Sequence, residues 1–174
     1  MVDGPFDAET GELTPRPPEK GDFLGLCREL NARECAYVIV GGFAVIQAGL
    51  PRTTGDIDIL MDASLENERR VFEALATLPD GCVRELEPGD VAKYTVVRVA
   101  DDVLVDLMAS ASGITYEEAV KDVVMHEIDG VAIPFASPGL LYRMKRRSGR
   151  EKDRGDIYFL EQWFAAQGRP LPEV

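Results

Sequence analysis

Two aspartates separated by one residue are the strongest candidates for chemistry in this chain. They lie in Asp56-Ile57-Asp58-Ile59, where polar and apolar residues alternate as in a β-strand with one buried face. Alternate side chains of a strand point to the same side, so the carboxylates lie next to each other while the isoleucines face the core. At about 4 Å apart, two carboxylates repel by roughly 4 kcal/mol at an effective dielectric constant of about 20. A hard cation such as Mg²⁺ (or Mn²⁺) removes this repulsion, so the pair is a candidate metal site.

A third aspartate lies in an otherwise apolar segment. Asp106 is part of VLVDLM (103–108), where an ionised side chain is costly unless it is paired or binds a metal. If this segment is a strand next to 56–62, Asp106 joins Asp56 and Asp58. Three carboxylates can hold two metal ions about 3.5–4 Å apart, which suits in-line phosphoryl transfer. All three aspartates are therefore candidate catalytic and metal-binding residues.

Residues suited to binding phosphate precede the aspartates. Gly41-Gly42 follow the apolar run AYVIV (36–40), and glycines let backbone N–H groups approach a phosphate because they have no Cβ. Arg52 and Thr54 supply a guanidinium and a hydroxyl that can bind phosphate oxygens. The alternative is an ordinary glycine turn and a pair of solvated aspartates, since Gly-Gly and Asp-x-Asp are common by chance.

The elements that must position these residues follow from periodicity and turn residues. We predict helices over 21–33, 43–50, 64–78, 115–122, 137–147 and 150–166. We predict strands over 36–40, 56–62, 82–87, 91–99, 102–108, 123–128 and 131–135, the last two joined by an Asp-Gly turn. This order predicts an α/β fold (α+β, with a mixed sheet) and C-terminal helices.

The length and composition suit one folded domain. The chain has 174 residues, of which 45% are hydrophobic, enough for a core without disulfides. Residues 1–20 are rich in proline, glycine and acidic residues and lack an apolar period, which predicts a flexible tail. We expect a single domain over 21–174, with a helical part over 136–174. The three cysteines form no Cys-x-x-Cys pair and indicate neither a disulfide framework nor a zinc site.

The sequence carries no signal for a membrane. No segment approaches the roughly 20 apolar residues that span a bilayer, and the N-terminal sequence lacks the features of a signal peptide. We therefore expect a cytoplasmic protein without a membrane partner.

The charge is strongly acidic but unevenly distributed. A net charge of −12 disfavours nucleic acids and anionic membranes as general partners. Basic residues nevertheless gather in one segment, at Arg143, Lys145, Arg146, Arg147, Arg150, Lys152 and Arg154. One interpretation is a solvated basic face partly paired with neighbouring acidic residues. The other is a surface that binds phosphate or a nucleic acid.

The stretch VGGFAVIQAGLPRTTGDIDILMD (40–62) resembles the signature of the nucleotidyltransferase fold, the DNA polymerase beta superfamily. That signature is a hydrophobic residue, glycine, then glycine or serine, a gap of roughly ten residues, and two acidic residues that alternate with hydrophobic ones. This family takes its third carboxylate from a later strand, and Asp106 matches it. The resemblance implies the nucleotidyltransferase fold with C-terminal helices.

The resemblance continues in IPFASPGLLYRMKRRSGREKDRGDI (133–157) and covers about 35–165. Relatives often carry Ser-Pro, a Leu-x-x-x-Lys helix and Arg-x-Lys-Asp-x-x-Asp, and the matching residues here are Lys145, Arg150, Lys152, Asp153 and Asp156. The chain looks most like small AbiEii-type or MNT-like nucleotidyltransferases, often found in toxin–antitoxin or phage-defence systems. One departure is that Gln47 and its neighbours leave no histidine in the helix after Gly-Gly, where some relatives carry one.

The resemblance implies transfer of a nucleoside monophosphate from a nucleoside triphosphate such as ATP to a hydroxyl of an RNA, a protein or a small molecule. Asp56, Asp58 and Asp106 are then the catalytic and Mg²⁺ (or Mn²⁺) ligands. The nucleotide-binding residues are Gly41, Gly42, Arg52, Thr54 and Lys145. The basic segment 143–154 is a candidate surface for tRNA, another RNA or a cognate partner protein.

Two other functions stay open. The fold can serve as a nucleotide- or partner-binding module without turnover, as in an antitoxin. It can also transfer a nucleotide to an antibiotic. Because 174 residues leave little room for an acceptor domain, a partner subunit or an oligomer is one way to complete the site.

Overall fold

The computed structural model describes residues 14–174. Its helices are α1 (Lys20–Ala32), α2 (Gly41–Ala48), α3 (Leu65–Leu75), α4 (Asp90–Lys93), α5 (Tyr116–Ala119), α6 (Pro138–Ser148) and α7 (Arg154–Ala166). Its strands are β1 (Tyr37–Val40), β2 (Asp56–Met61), β3 (Val97–Ala100), β4 (Leu104–Met108), β5 (Ser110–Ala111), β6 (Ile114–Thr115), β7 (Val123–Ile128) and β8 (Val131–Ala136). Short 3₁₀ helices cover Cys82–Glu85, Val120–Asp122 and Glu151–Asp153.

Six strands of the described chain form a mixed sheet in the order β3-β4-β2-β1-β8-β7. Strand β2 is antiparallel to β1 and parallel to β4, while β3 is antiparallel to β4. Strand β8 is parallel to β1 and forms the predicted hairpin with β7. The predicted mixed α/β fold is therefore confirmed, and β2 lies between two partners in the middle of the sheet.

Alternation along β2 and β4 separates the core from the candidate site. Ile57 and Ile59 are fully buried, as are Val105 and Leu107. Helix α1 packs against α3 and β8, while α6 packs against α2 and α7. The C-terminal helices are therefore attached through α6 to α2, the helix that begins at the Gly-Gly pair.

The helix caps and the hairpin turn form where the sequence predicts them. The Ser137 hydroxyl accepts a hydrogen bond from the Leu140 N–H at 3.0 Å and so caps α6. Thr115 and Glu118 form the predicted capping box of α5. At the β7–β8 turn, Asp129 has φ 49° and Gly130 has φ 78°, the left-handed conformation that such a turn requires.

The strand predicted over 82–87 is wrong. Residues Cys82–Glu85 form a 3₁₀ helix, because the buried Asp101 carboxylate accepts hydrogen bonds from the backbone N–H groups of Asp80 and Cys82, both at 2.9 Å. These bonds hold the chain in a turn.

The strand predicted over 91–99 begins too early. The first part is α4, and only Val97–Ala100 is a strand. The buried Glu68 carboxylate accepts the N–H groups of Gly89 at 2.6 Å and Val91 at 3.0 Å, which are free at the start of a helix.

Residues 14–19 differ from the flexible tail expected over 1–20. The Arg16 guanidinium donates to Asp22 at 2.7 Å and to Asp102 at 2.8 Å, and its backbone bridges to Val103. Lys20 already belongs to α1. Residues 1–13 lie outside the described part of the chain. Within the described part, no helix combines the length and apolar character needed to cross a bilayer.

Candidate active site

The pairing of β2 with β4 brings the three predicted carboxylates together. Asp58 lies directly opposite Asp106 in the parallel register, and Asp56 lies two residues earlier on the same face. One oxygen from each of the three side chains lies within 4.8 Å of the others. This strand pairing supplies what the spacing within 56–58 cannot, namely the position of the third carboxylate.

Burial and like charge act together on Asp58. Burial, followed by the charges of Asp56 and Asp106, raises the pKa of Asp58 to about 7. The opposite charges of Lys145 and Arg150 lower it, but by less. A carboxyl group in this position binds a proton near neutral pH, and a divalent cation competes with that proton.

Arg98 is a site residue that the sequence prediction missed. Its Nε and Nη2 atoms donate to the two oxygens of Asp106 at 2.8 and 2.7 Å, and Nη2 also reaches Asp56 at 3.3 Å. Arg98 lies opposite Asp106 in the antiparallel pair of β3 and β4. The predicted turn at 101–102 could have identified Arg98, because a hairpin centred there places Arg98 across from Asp106 on the neighbouring strand.

The Gly-Gly pair begins α2 instead of preceding it. Gly41 has φ 65°, and a Cβ built on it lies 2.0 Å from Asp58 Oδ2. A Cβ built on Gly42 lies 2.3 Å from Thr54 Oγ1. The helix start therefore packs directly against the loop and strand that carry the aspartates. Its first N–H groups have no partner within the helix, which suits an anion.

Thr54 and Arg52 lie in the loop before β2. The Thr54 hydroxyl donates to the backbone oxygen of Asp56 at 3.2 Å. The Arg52 guanidinium donates to the Thr53 backbone oxygen at 2.7 Å and to the Asp156 carboxylate at 3.0 Å. Arg52 therefore connects the loop before β2 with α7.

Lys145 lies in a buried ion-pair network. Its Nζ is 2.8 Å from Asp153 Oδ1 and 2.8 Å from Asp156 Oδ2, and all three side chains are at most 8% exposed. Although burial acts to raise the pKa of Asp153, hydrogen bonds from Lys145, Arg150 and Ser148 keep it below its ordinary value. Two aspartates of the Arg-x-Lys-Asp-x-x-Asp motif, Asp153 and Asp156, therefore hold Lys145 in place.

The predicted site residues line one cleft of about 980 Å³. Its walls include Gly41, Gly42, Arg52, Thr54, Asp56, Asp58, Asp106 and Lys145, together with Arg98, Arg150 and Lys152. A smaller pocket of about 270 Å³ shares Gly41, Asp58 and Asp106 with this cleft. The three aspartates therefore share one cleft with basic side chains, of which Arg52 and Lys145 are paired with Asp156. A cleft with both charges suits a metal-bound polyphosphate.

The basic segment 143–154 is divided between two surroundings. Lys145, Arg150 and Lys152 line the cleft. Arg143 turns to Asp122 at 3.0 Å, and the exposed Arg154 pairs with Glu151 at 3.2 Å. Only part of the segment therefore faces the carboxylates, and its binding of an RNA or a partner protein stays a prediction.

The donor set of the three aspartates fits a hard divalent cation. All ligands are carboxylate oxygens, the atoms that Mg²⁺ and Mn²⁺ prefer. Their separation lets one ion touch all three side chains. The cleft beside them leaves room for water and phosphate oxygens, which Mg²⁺ retains as further ligands.

Comparisons with known proteins identify the fold. A scan against protein-family profiles finds no match, and neither does a search of curated protein sequences. One similar crystal structure is that of a "putative nucleotidyltransferase" from Thermotoga maritima, 17% identical, with the match covering 86% of this chain and 97% of that chain at a TM-score of 0.52. Another is an antigenic nucleotidyltransferase-like protein from Paracoccidioides brasiliensis, 19% identical, covering 88% of this chain and 79% of that chain at a TM-score of 0.50. The predicted nucleotidyltransferase fold is confirmed, and at this identity the likeness concerns the fold alone.

Proposed function

We propose that this protein, which has the nucleotidyltransferase fold, transfers a nucleoside monophosphate from a nucleoside triphosphate to an acceptor hydroxyl. The hydroxyl oxygen forms a bond to the α-phosphorus, the bond from that phosphorus to the bridging oxygen breaks, and pyrophosphate leaves. The observation that carries the proposal is that oxygens of Asp56, Asp58 and Asp106 lie within 4.8 Å of one another, in a cleft that basic side chains also line.

The aspartates take different parts in this reaction. Asp56 and Asp58 would hold Mg²⁺ (or Mn²⁺), and Asp106 would complete the ligand set and accept the proton of the acceptor hydroxyl. When bound, the cation supplies positive charge for the attacking and leaving oxygens. Asp58 binds a cation in its ionised form, which requires loss of the proton that its burial favours.

The other cleft residues bind the phosphates. Gly41 and Gly42 line the cleft, and they begin α2, where the first N–H groups have no intrahelical partner and suit an anion. Arg52, Thr54 and Lys145 add a fork of N–H donors, a hydroxyl and a buried ammonium group. The ion pairs of Arg52 and Lys145 with Asp156 position both groups before the nucleotide binds.

The acceptor and the biological setting form the finer part of the proposal. An AbiEii-type or MNT-like enzyme in the cytoplasm, using ATP and modifying an RNA or a protein within a toxin–antitoxin or phage-defence system, fits the C-terminal block 133–157. Lys152 and Arg150, which line the cleft, support an acidic polymer as acceptor. A nucleotide- or partner-binding module without turnover and an antibiotic nucleotidyltransferase are the alternatives.

Thermal unfolding with each nucleotide tests the site. We would measure ATP, GTP, CTP and UTP with and without Mg²⁺ on the wild type, Asp56→Asn and the surface control Asp129→Asn. A ligand at 100 times its Kd stabilises the fold by about 2.7 kcal/mol, which is roughly 5–11 °C for a domain of this size. We expect such a shift with at least one nucleotide, dependent on Mg²⁺, lost in Asp56→Asn and retained in Asp129→Asn.

Turnover separates the enzyme from the binding module. We would add RNA, protein or aminoglycoside acceptors in turn, together with the nucleotide that stabilises the protein. We expect pyrophosphate release with at least one acceptor in the wild type and none in Asp56→Asn. A shift in unfolding without turnover on RNA, protein or aminoglycoside acceptors favours the binding module. No shift with any nucleotide contradicts the proposed site.

A further inference from the structure

Arg98 has no part in the proposed chemistry, yet it makes the closest contacts with the carboxylates. Both oxygens of Asp106 accept hydrogen bonds from it, at 2.8 and 2.7 Å, and its Nη2 bridges to Asp56 at 3.3 Å. A fork of two parallel N–H donors on one carboxylate is the strongest common form of ion pair. One guanidinium therefore occupies two of the three proposed metal ligands.

The surroundings of the pair make the arginine the removable partner. The Asp106 side chain is 8% exposed, whereas that of Arg98 is 54% exposed. Arg98 lies on β3, an edge strand of the described sheet, and more than half of its side chain is exposed, so little packing holds it against Asp106.

Lys145, a buried cation that also lines the cleft, cannot take the place of Arg98. Lys145 is 7% exposed and committed to Asp153 and Asp156 at 2.8 Å each. Arg98 therefore contacts Asp106 and Asp56 directly, whereas Lys145 and Arg150 act on the cluster only through their charge on Asp58.

We propose that Arg98 is an internal counter-cation that holds Asp106 and Asp56 in the metal-free protein and exchanges places with the divalent cation when the site is loaded. This inference rests on the proposed function. Two positive charges at the same carboxylate oxygens repel each other, and in the proposed exchange Arg98 gives up these hydrogen bonds when the cation binds. Arg98 also lines the cleft. The negatively charged phosphates of a nucleotide bound there can replace the carboxylates as partners of the released guanidinium.

An arginine that stays in place when the metal binds would have the opposite effect on cation affinity. A carboxylate oxygen has two lone pairs, so an arginine can also remain in place and orient a metal ligand. In that case removal of the arginine weakens cation binding. In the exchange proposed here, removal of the arginine strengthens it, because no hydrogen bonds are lost when the cation binds.

The test is a titration with Mn²⁺ alone, followed by electron paramagnetic resonance of free Mn²⁺ and by calorimetry. Arg98→Met keeps the length of the side chain without its charge and donors. We expect its Kd for Mn²⁺ to fall by roughly three- to tenfold, the equivalent of a partly exposed charged hydrogen bond. Arg98→Lys keeps the positive charge but lacks the two parallel N–H donors. Its Kd for Mn²⁺ should lie between those of the wild type and Arg98→Met.

Arg16 supplies a matched control. It also bridges two aspartates, with bonds of 2.7 Å to Asp22 and 2.8 Å to Asp102, and its side chain is 40% exposed. Arg16→Met removes the same net charge outside the cleft, so its Kd for Mn²⁺ should stay within twofold of the wild type, by the weak effect of exposed charges.

The outcomes separate this inference from the proposed function. A Kd that is unchanged or larger in Arg98→Met, while the wild type binds Mn²⁺ and Asp56→Asn does not, overturns the exchange and leaves the metal site intact. Failure of all variants and the wild type to bind Mn²⁺ overturns the metal site and the exchange together. Equal strengthening in Arg98→Met and Arg16→Met also overturns the exchange, since it reduces the effect to net charge.

Discussion

At the scale of single residues, the Asp58 carboxyl group lies where burial and two like charges act in the same direction. Its pKa is raised to about 7, first by burial and then by Asp56 and Asp106. The folded protein therefore binds this proton more tightly than the unfolded chain does. The resulting stabilisation is fully present below about pH 4 and is lost as the pH rises through about 7.

Asp58→Asn isolates this effect because asparagine stays neutral at every pH. In metal-free buffer with EDTA, we expect the variant to gain stability relative to the wild type between about pH 4 and pH 7 and to keep a constant advantage above that. The advantage at pH 8 should be about 4 kcal/mol, since the pKa rises from 3.8 to about 7 and each pKa unit corresponds to about 1.4 kcal/mol. Urea unfolding of both proteins across this range measures it, and an advantage that does not vary with pH contradicts the raised pKa.

At the scale of elements, the start of α2 depends on the absence of side chains at its two glycines. Gly41 has φ 65° and lies so close to Asp58 that a Cβ meets the carboxylate at 2.0 Å. Strand β1 thus passes straight into a helix whose first turn contacts the strand that carries the aspartates. The short connection is possible because the second element begins with two glycines.

Gly41→Ala should damage both the backbone and the metal site. A left-handed conformation costs an alanine about 1–3 kcal/mol, and the added Cβ displaces the Asp58 carboxylate. We expect lower stability and loss of Mn²⁺ binding. Gly130→Ala is the matched control, because Gly130 has φ 78° but no atom within 4 Å of a built Cβ. Equal Mn²⁺ affinity in the two variants contradicts the proposed contact.

At the scale of the whole molecule, a buried ion-pair network joins the C-terminal helices to the sheet side of the cleft. Lys145 of α6 contacts Asp153 and Asp156, and Arg52 from the loop before β2 contacts Asp156. Removing the central cation leaves two buried carboxylates with fewer partners. That change is costly, because buried charges need compensation.

Lys145→Met should therefore destabilise the protein by about 3 kcal/mol or more, since breaking one side of a buried pair typically costs about 3–5 kcal/mol. Arg154→Met is the control, as Arg154 is 78% exposed and pairs with an equally exposed Glu151. Its effect should stay within about 0.5 kcal/mol. Urea unfolding compares the two. Similar small losses in both variants contradict a structural role for the network.

Features that depend on neighbours along the chain could be predicted from the residues alone. The common face of Asp56 and Asp58 follows from the two-residue period of a strand, and the caps at Ser137 and Thr115 follow from contacts within one helical turn. The strand prediction over 82–87 failed because a side chain from residue 101 holds that segment in a turn.

The pairing of the strands and the contacts between charged side chains depend on how whole elements pack. The parallel pairing of β2 with β4 aligns Asp58 with Asp106, and the β3–β4 hairpin adds Arg98 to the cluster. Packing of α6 and α7 surrounds Lys145 with two carboxylates instead of leaving it free in the cleft. These contacts join residues far apart in the chain, and their register depends on the burial of whole elements, which no local pattern of residues specifies.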